Sequence, residues 1–172
     1  FTWLPTYLIN VLGFSLLAGV AFAALPFLLA GIADVAGGWL TDHLSRAHGL
    51  RVGRCYLGCA SFLSCAGLLL LSTGIGSPVA KAILLACALA SADFALSAAW
   101  AVPLDIAPDH AGVVTGWMNT LGNLGGLVGP LVVGFVVEEY QSWVIPFYIT
   151  AGVYVVGALA WLLIDPATPV EA

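Results

Sequence analysis

Residues 108–134 read PDHAGVVTGWMNTLGNLGGLVGPLVVG, a stretch with seven glycines and, past His110, no charge before Glu138. In water each glycine inside a helix costs about 1 kcal/mol relative to alanine, so a soluble helix of this composition would be poor. In lipid the same residue lets a neighbouring backbone approach closely, and the charge-free run has the length of a bilayer crossing, about 20 residues. Gly112 and Gly116, Gly122 and Gly126, and Gly125 and Gly129 each have small-xxx-small spacing, which predicts packing surfaces. Thr115, Asn119 and Asn123 recur every four residues and make one polar stripe. Unpaired amides in hydrocarbon cost several kcal/mol, so the two asparagines must face a neighbouring helix, a cavity or a ligand. Interhelical hydrogen bonding and a substrate pathway both satisfy that requirement.

The remaining sequence has the same character. Of 172 residues 62% are hydrophobic and 8% charged, with a mean hydropathy of +1.08. That composition excludes a soluble domain and indicates a polytopic membrane protein. The single methionine is Met118 and the opening FTWLPTYL is apolar but too short to span, so the chain is expected to be a piece of a longer one that starts at the end of a helix. The net charge of −5 comes mostly from loop and tail acids, and no basic nucleic-acid surface is present. Cys55, Cys59, Cys65 and Cys87 lie in apolar runs without zinc spacing and read as small packing residues. His43, His48 and His110 all fall in expected loops, so no metal site or cofactor is expected.

Five spans are expected, at about 15–41, 55–73, 79–104, 112–137 and 142–164, forming a single helical domain over 1–172. Arg46, Arg51 and Arg54 are three of the four basic residues and fall together in one loop. The positive-inside rule places that loop, 42–54, in the cytoplasm, and with it the loop 105–111 and the C-terminal tail. Lys81 can snorkel to the outer interface, and Trp143 suits an interfacial position. Short loops make sequential helices antiparallel neighbours in a compact bundle.

Within the spans, Asp93, Ser97 and Trp100 have the i, i+4, i+7 spacing of one helix face. A carboxylate at that depth needs a donor, a wet cavity or a proton. Trp100 offers a ring for stacking or for packing. Asp34 reads as a packing or gating carboxylate about two turns in from the loop, with a proton-coupling role as the alternative. Gly38, Asp42 and Arg46 read as a gate, in which glycine permits close helix contact and the aspartate pairs with a loop arginine or caps a helix. No catalytic group is found: the sequence holds no G-x-S-x-G, H-E-x-x-H, P-loop or dinucleotide fingerprint. An intramembrane aspartyl protease is disfavoured because Asp34 and Asp93 are expected at different depths.

Three segments carry a resemblance: FTWLPTYL, LPFLLAGIADVAGGWLTDHLSRAHGLRVGR and WAVPLDIAPDHAGVVTGWMNTLGNLGGLVGPLVVG. They resemble the end of helix seven, helix eight with the second cytoplasmic motif, and helices ten and eleven of a major facilitator superfamily transporter. More narrowly, they resemble its anion:cation symporter family, which includes hexuronate and galactonate permeases. The resemblance covers essentially the whole chain. It implies an all-α membrane protein, the C-terminal half of a twelve-helix bundle comprising the end of helix 7 and helices 8–12. It also implies ion-coupled symport of an organic anion, most simply a sugar acid, by alternating access. The partners would be that anion, a proton or sodium ion, the lipid of the plasma or inner membrane, and the N-terminal six-helix half. That half would hold the coupling acids and anion-binding arginine, so the piece alone is not expected to transport. Ser97, Trp100 and Asn119 fall at the family's substrate positions, with Asp93 and Asn123 in support. Ala99 stands where a galactonate-type site can have threonine. Another facilitator substrate, such as an inorganic or aromatic anion or a drug-like compound, and a non-transporting polytopic protein are the alternatives.

Overall fold

The computed structural model describes residues 2–168, and every regular element among them is helical. Helix α1 (Leu4–Asn10) is followed by α2 (Leu16–His48), whose first turn is capped by Ser15 Oγ accepting from the Ala18 N–H at 3.3 Å. A six-residue π-helical turn, Arg51–Tyr56, runs into α3 (Leu57–Gly74). Then come α4 (Pro78–Asp93), α5 (Leu96–Ile106), α6 (Ala111–Tyr140) and α7 (Val144–Leu163). Counting α3 with its π turn and α4 with α5, five helical stretches are long and apolar enough to cross a membrane.

Two boundaries differ from expectation. The segment 42–54, expected as a loop, is helical to His48 and resumes after Gly49, which turns the chain at φ +91. Glycine suits that left-handed position because it carries no Cβ. The stretch 79–104 is two helices rather than one. At Ala95 the backbone bond tightens from the i−4 to the i−3 carbonyl, with its N–H on Ala92 O at 3.2 Å, before the helix restarts.

The core lies between α3, α4 and α7, with Cys65, Ala66, Leu69, Leu85, Ala88 and Ala151 closed on one side by Tyr7 of α1. A second cluster joins Ala95, Ala98 and Val102 to Trp161. Because lipid is as apolar as these side chains, dispersion and close approach hold the bundle rather than the hydrophobic effect. Gly58 accordingly lies flat against the Trp161 ring, and a Cβ at Gly157 would come 2.9 Å from the Phe62 ring. Cys55 and Cys65 are fully buried free thiols, as expected of packing residues.

Helix α6 behaves differently. Val136 is its only buried residue among those described, and Gly112, Gly116, Gly122, Gly125, Gly126 and Gly129 meet no atom of this chain that a Cβ would touch. Only Gly134 has a neighbour, the Trp3 ring, whose Nε1 donates to the Pro130 carbonyl at 2.9 Å. The glycine face expected to pack is thus open, because α6 sits at the edge of the bundle. Close helix contacts fall instead on Gly37 and Gly53 of α2 and the π turn, and on Gly58 and Gly157 between α3 and α7.

Candidate functional site

The residues expected to bind substrate are brought together only in part. Ser97, in the first turn of α5, donates its hydroxyl proton to the backbone carbonyl of Asp34 on α2 at 3.0 Å. Gly38 lies opposite, where an added Cβ would come 3.3 Å from Ser97 Oγ. A glycine assigned to the gate and a serine assigned to the substrate site are therefore two sides of one helix contact. The donor of Ser97 is committed and only its lone pairs remain for a ligand. Trp100, one turn on, keeps 42% of its surface exposed.

Asp93 ends α4, so the break at Phe94 and Ala95 interrupts the continuous face implied by the spacing of Asp93, Ser97 and Trp100. Gly37 sits directly under the Phe94 carbonyl, so the turn of α2 that follows Asp34 packs on the residue after Asp93.

Asn119 and Asn123 lie on the exposed face of α6. Asn123 Nδ2 donates to the Asn119 carbonyl of its own helix at 2.8 Å, the local alternative available to a short amide. The Asn119 side chain takes no hydrogen bond among the described residues. A cavity of about 740 Å³ opens between α1, α6 and α7, lined by Trp3, Tyr7, Gly129, Trp143 and Tyr154 among others, and none of the five expected substrate residues borders it. It is an apolar cleft in the side of the bundle.

Among the residues assigned to the gate, Asp42 pairs with an arginine of the following segment, Arg54, whose Nη1 lies 3.2 Å from Asp42 Oδ1. Arg46 is exposed and makes no ion pair among the described residues. The π turn aims Arg54 into the bundle, where it is only 8% exposed. Its Nε donates to Asp105 Oδ2 at 2.9 Å and its Nη1 to Thr41 Oγ1 at 3.0 Å. The Thr41 hydroxyl in turn donates to the Gly53 carbonyl at 2.5 Å. A Cβ at Gly53 would run into Ser45 and Thr41, so the approach that makes this network requires glycine. Asp105 was not singled out in the sequence, and Arg54 was named only as one of three loop arginines. The available signal was an arginine directly after a glycine at the mouth of a charge-free span.

Outside the spans, Asp165 turns the chain after α7. The Ala167 N–H at 3.1 Å and the Thr168 hydroxyl at 3.0 Å donate to its carboxylate and hold its pKa below the ordinary range.

The sequence profile of the Major Facilitator Superfamily matches residues 1–130. The probable sulfoacetate transporter SauU of Cupriavidus necator is 36% identical over 175 residues, covering 99% of this chain and 40% of that protein. The chloroplastic sodium-dependent phosphate transport protein 1 of Arabidopsis thaliana is 34% identical over 163 residues, covering 94% of this chain and 32% of that protein. The hexuronate transporter of Bacillus subtilis is 28% identical over 169 residues, covering 92% and 39%. The chain thus spans well under half the length of these relatives.

Proposed function

The chain belongs to the Major Facilitator Superfamily, and from that premise we propose that it is the C-terminal half of a secondary active transporter that carries a small organic anion by ion-coupled symport. The observation that carries this reading is the near-complete alignment of the chain with relatives named for sulfoacetate, phosphate and hexuronate. These solutes share a compact, strongly anionic group. A sugar acid is the substrate class favoured here, because it combines that group with hydroxyls that asparagine and serine can bond. The alternating-access architecture puts a substrate near the bilayer midplane between two halves.

In this reading Asn119 presents its free amide to the substrate, Trp100 supplies a wall, and Ser97 offers lone pairs while fixing α5 on α2. Asn123 steadies the Asn119 turn. The anion's charge is met by the remainder of the polypeptide, since the interior of these helices is without lysine or arginine at the depth of Asn119. Gly38 and Asp42 belong to a gate at the arginine-rich end, with Arg54 rather than Arg46 at its centre. The coupling ion is a proton or sodium ion, and the membrane is the plasma or inner membrane with the arginine-rich end in the cytoplasm.

Ligand-induced thermal shift on the purified full-length protein tests the substrate class. A ligand at 100 times its Kd stabilises the folded state by about 2.7 kcal/mol, enough to raise Tm measurably. Glucuronate or galactonate should do so, and Asn119→Ala should remove the shift. A shift with phosphate alone would move the substrate to the inorganic class.

A further inference from the structure

The apolar cleft between α1, α6 and α7 has a direction. Tyr7 of α1 packs edge-on against Phe147 near the start of α7, with ring centroids 5.2 Å apart. One turn earlier in the chain, Trp3 stands over Gly134 and donates to the Pro130 carbonyl at 2.9 Å, about two to three turns inward from the end of α6 at Tyr140. Followed backwards, α1 therefore points from the α6–α7 connection into the cleft, whose lining includes Thr2, Trp3 and Leu4. The Trp3 backbone is itself helical, at φ −92 and ψ −6, and no side chain among the described residues caps the first turn. Pro5 lacks an N–H, so a helix running through it bends there.

Beyond Trp3 the cleft runs on between Gly125, Gly126 and Gly129 of α6 and Thr150, Val153 and Tyr154 of α7. A Cβ built on any of the three glycines meets nothing within 4 Å. Glycine inside a helix costs about 1 kcal/mol relative to alanine; lipid tails return little for it, whereas a neighbouring helix can bring its backbone close. A turn of helix 10–12 Å across and 5.4 Å high displaces roughly 400–600 Å³, so a cleft of about 740 Å³ accepts at least one turn. We propose that in the full-length protein the helix leading into α1 fills this cleft, with its backbone against Gly125, Gly126 and Gly129 and its far side against α7. This rests on the reading of the chain as the C-terminal half of a longer transporter, whose relatives match it over only 40% and 32% of their length. It gives a partner to one side of the open glycine face. Gly129 follows Asn119 by ten residues, which places the two about 80° apart around the α6 axis. The helix that holds α6 in place therefore leaves the asparagine stripe on an adjacent, uncovered face.

Photocrosslinking of the full-length protein in lipid nanodiscs tests the occupant. A small diazirine-bearing amino acid is placed at Val153 on the α7 wall and, in a second variant, at Val133 on the α6 wall, and adducts are mapped by peptide mass spectrometry. Both walls should label the stretch within about 20 residues, one span, ahead of Phe1. Phospholipid, another segment of the chain or no adduct as the main product at either wall would overturn the proposal. Independently, Gly126→Leu and Gly129→Leu should each lower Tm by several degrees, because a side chain there keeps the helix away. An unchanged Tm in both would also overturn it. Failure of every anion in the thermal-shift assay would leave the crosslinks intact, so the substrate reading and this one fail separately.

Discussion

Arg54 Nε donates to Asp105 Oδ2 at 2.9 Å, and this bond ties the π-helical entry of α3 to the end of α5. Asp42 meets the same guanidinium at 3.2 Å but with 60% of its side chain exposed, against 20% for Asp105. The two acids therefore contribute unequally. Arg54→Ala leaves a largely buried carboxylate unpaired and should cost about 3 kcal/mol. Asp42→Asn should cost less than about 1 kcal/mol, as for an exposed pair. Thermal unfolding of the full-length protein in nanodiscs checks the order, and equal losses would contradict it.

Gly37 and Gly38 are neighbours with different tolerances. A Cβ at Gly37 meets the Phe94 backbone, which has no free rotation to give way, whereas one at Gly38 meets Ser97 Oγ at 3.3 Å. Gly37→Ala should destabilise by about 1–3 kcal/mol and Gly38→Ala by clearly less. The same assay measures both.

Five long apolar helices were legible because runs of bilayer length with almost no charge leave little alternative. The break at Phe94 was not, since SADFALS holds neither glycine nor proline and its cause is packing against Gly37. Nor was the choice among Arg46, Arg51 and Arg54, which the sequence presents as equals until the π turn buries the third. The asparagines of α6 were visible as a stripe, but that Asn123 bonds its own helix and leaves Asn119 free depends on side-chain geometry.

Ser97 and Asn119 should separate kinetically. Ser97→Ala removes the bond that holds α5 on the Asp34 carbonyl, so it should lower maximal uptake and Tm with a small effect on KM. Asn119→Ala removes an exposed amide and should raise KM about tenfold, the equivalent of roughly 1.4 kcal/mol, with Tm unchanged. Uptake kinetics on both variants, beside thermal unfolding, would expose a reversed pattern.

Asp165 supplies a pH dependence outside the membrane. Its carboxylate is stabilised in the folded turn, so its contribution is present above the ordinary carboxylate range and is lost as pH falls through the lowered folded value. Thr168→Val removes one donor and should raise the Asp165 midpoint toward the ordinary range. A carboxyl-detected NMR titration of the full-length protein reads the shift, and an unchanged midpoint would show that the Thr168 bond does not hold in solution.

The most direct measurement is uptake of labelled glucuronate and galactonate into vesicles bearing the full-length protein, with and without an imposed proton or sodium gradient. Accumulation of one sugar acid above its equilibrium level, abolished when the driving gradient is collapsed, is the predicted result. Folded protein that equilibrates or excludes both acids whatever the gradient would contradict ion-coupled sugar-acid transport.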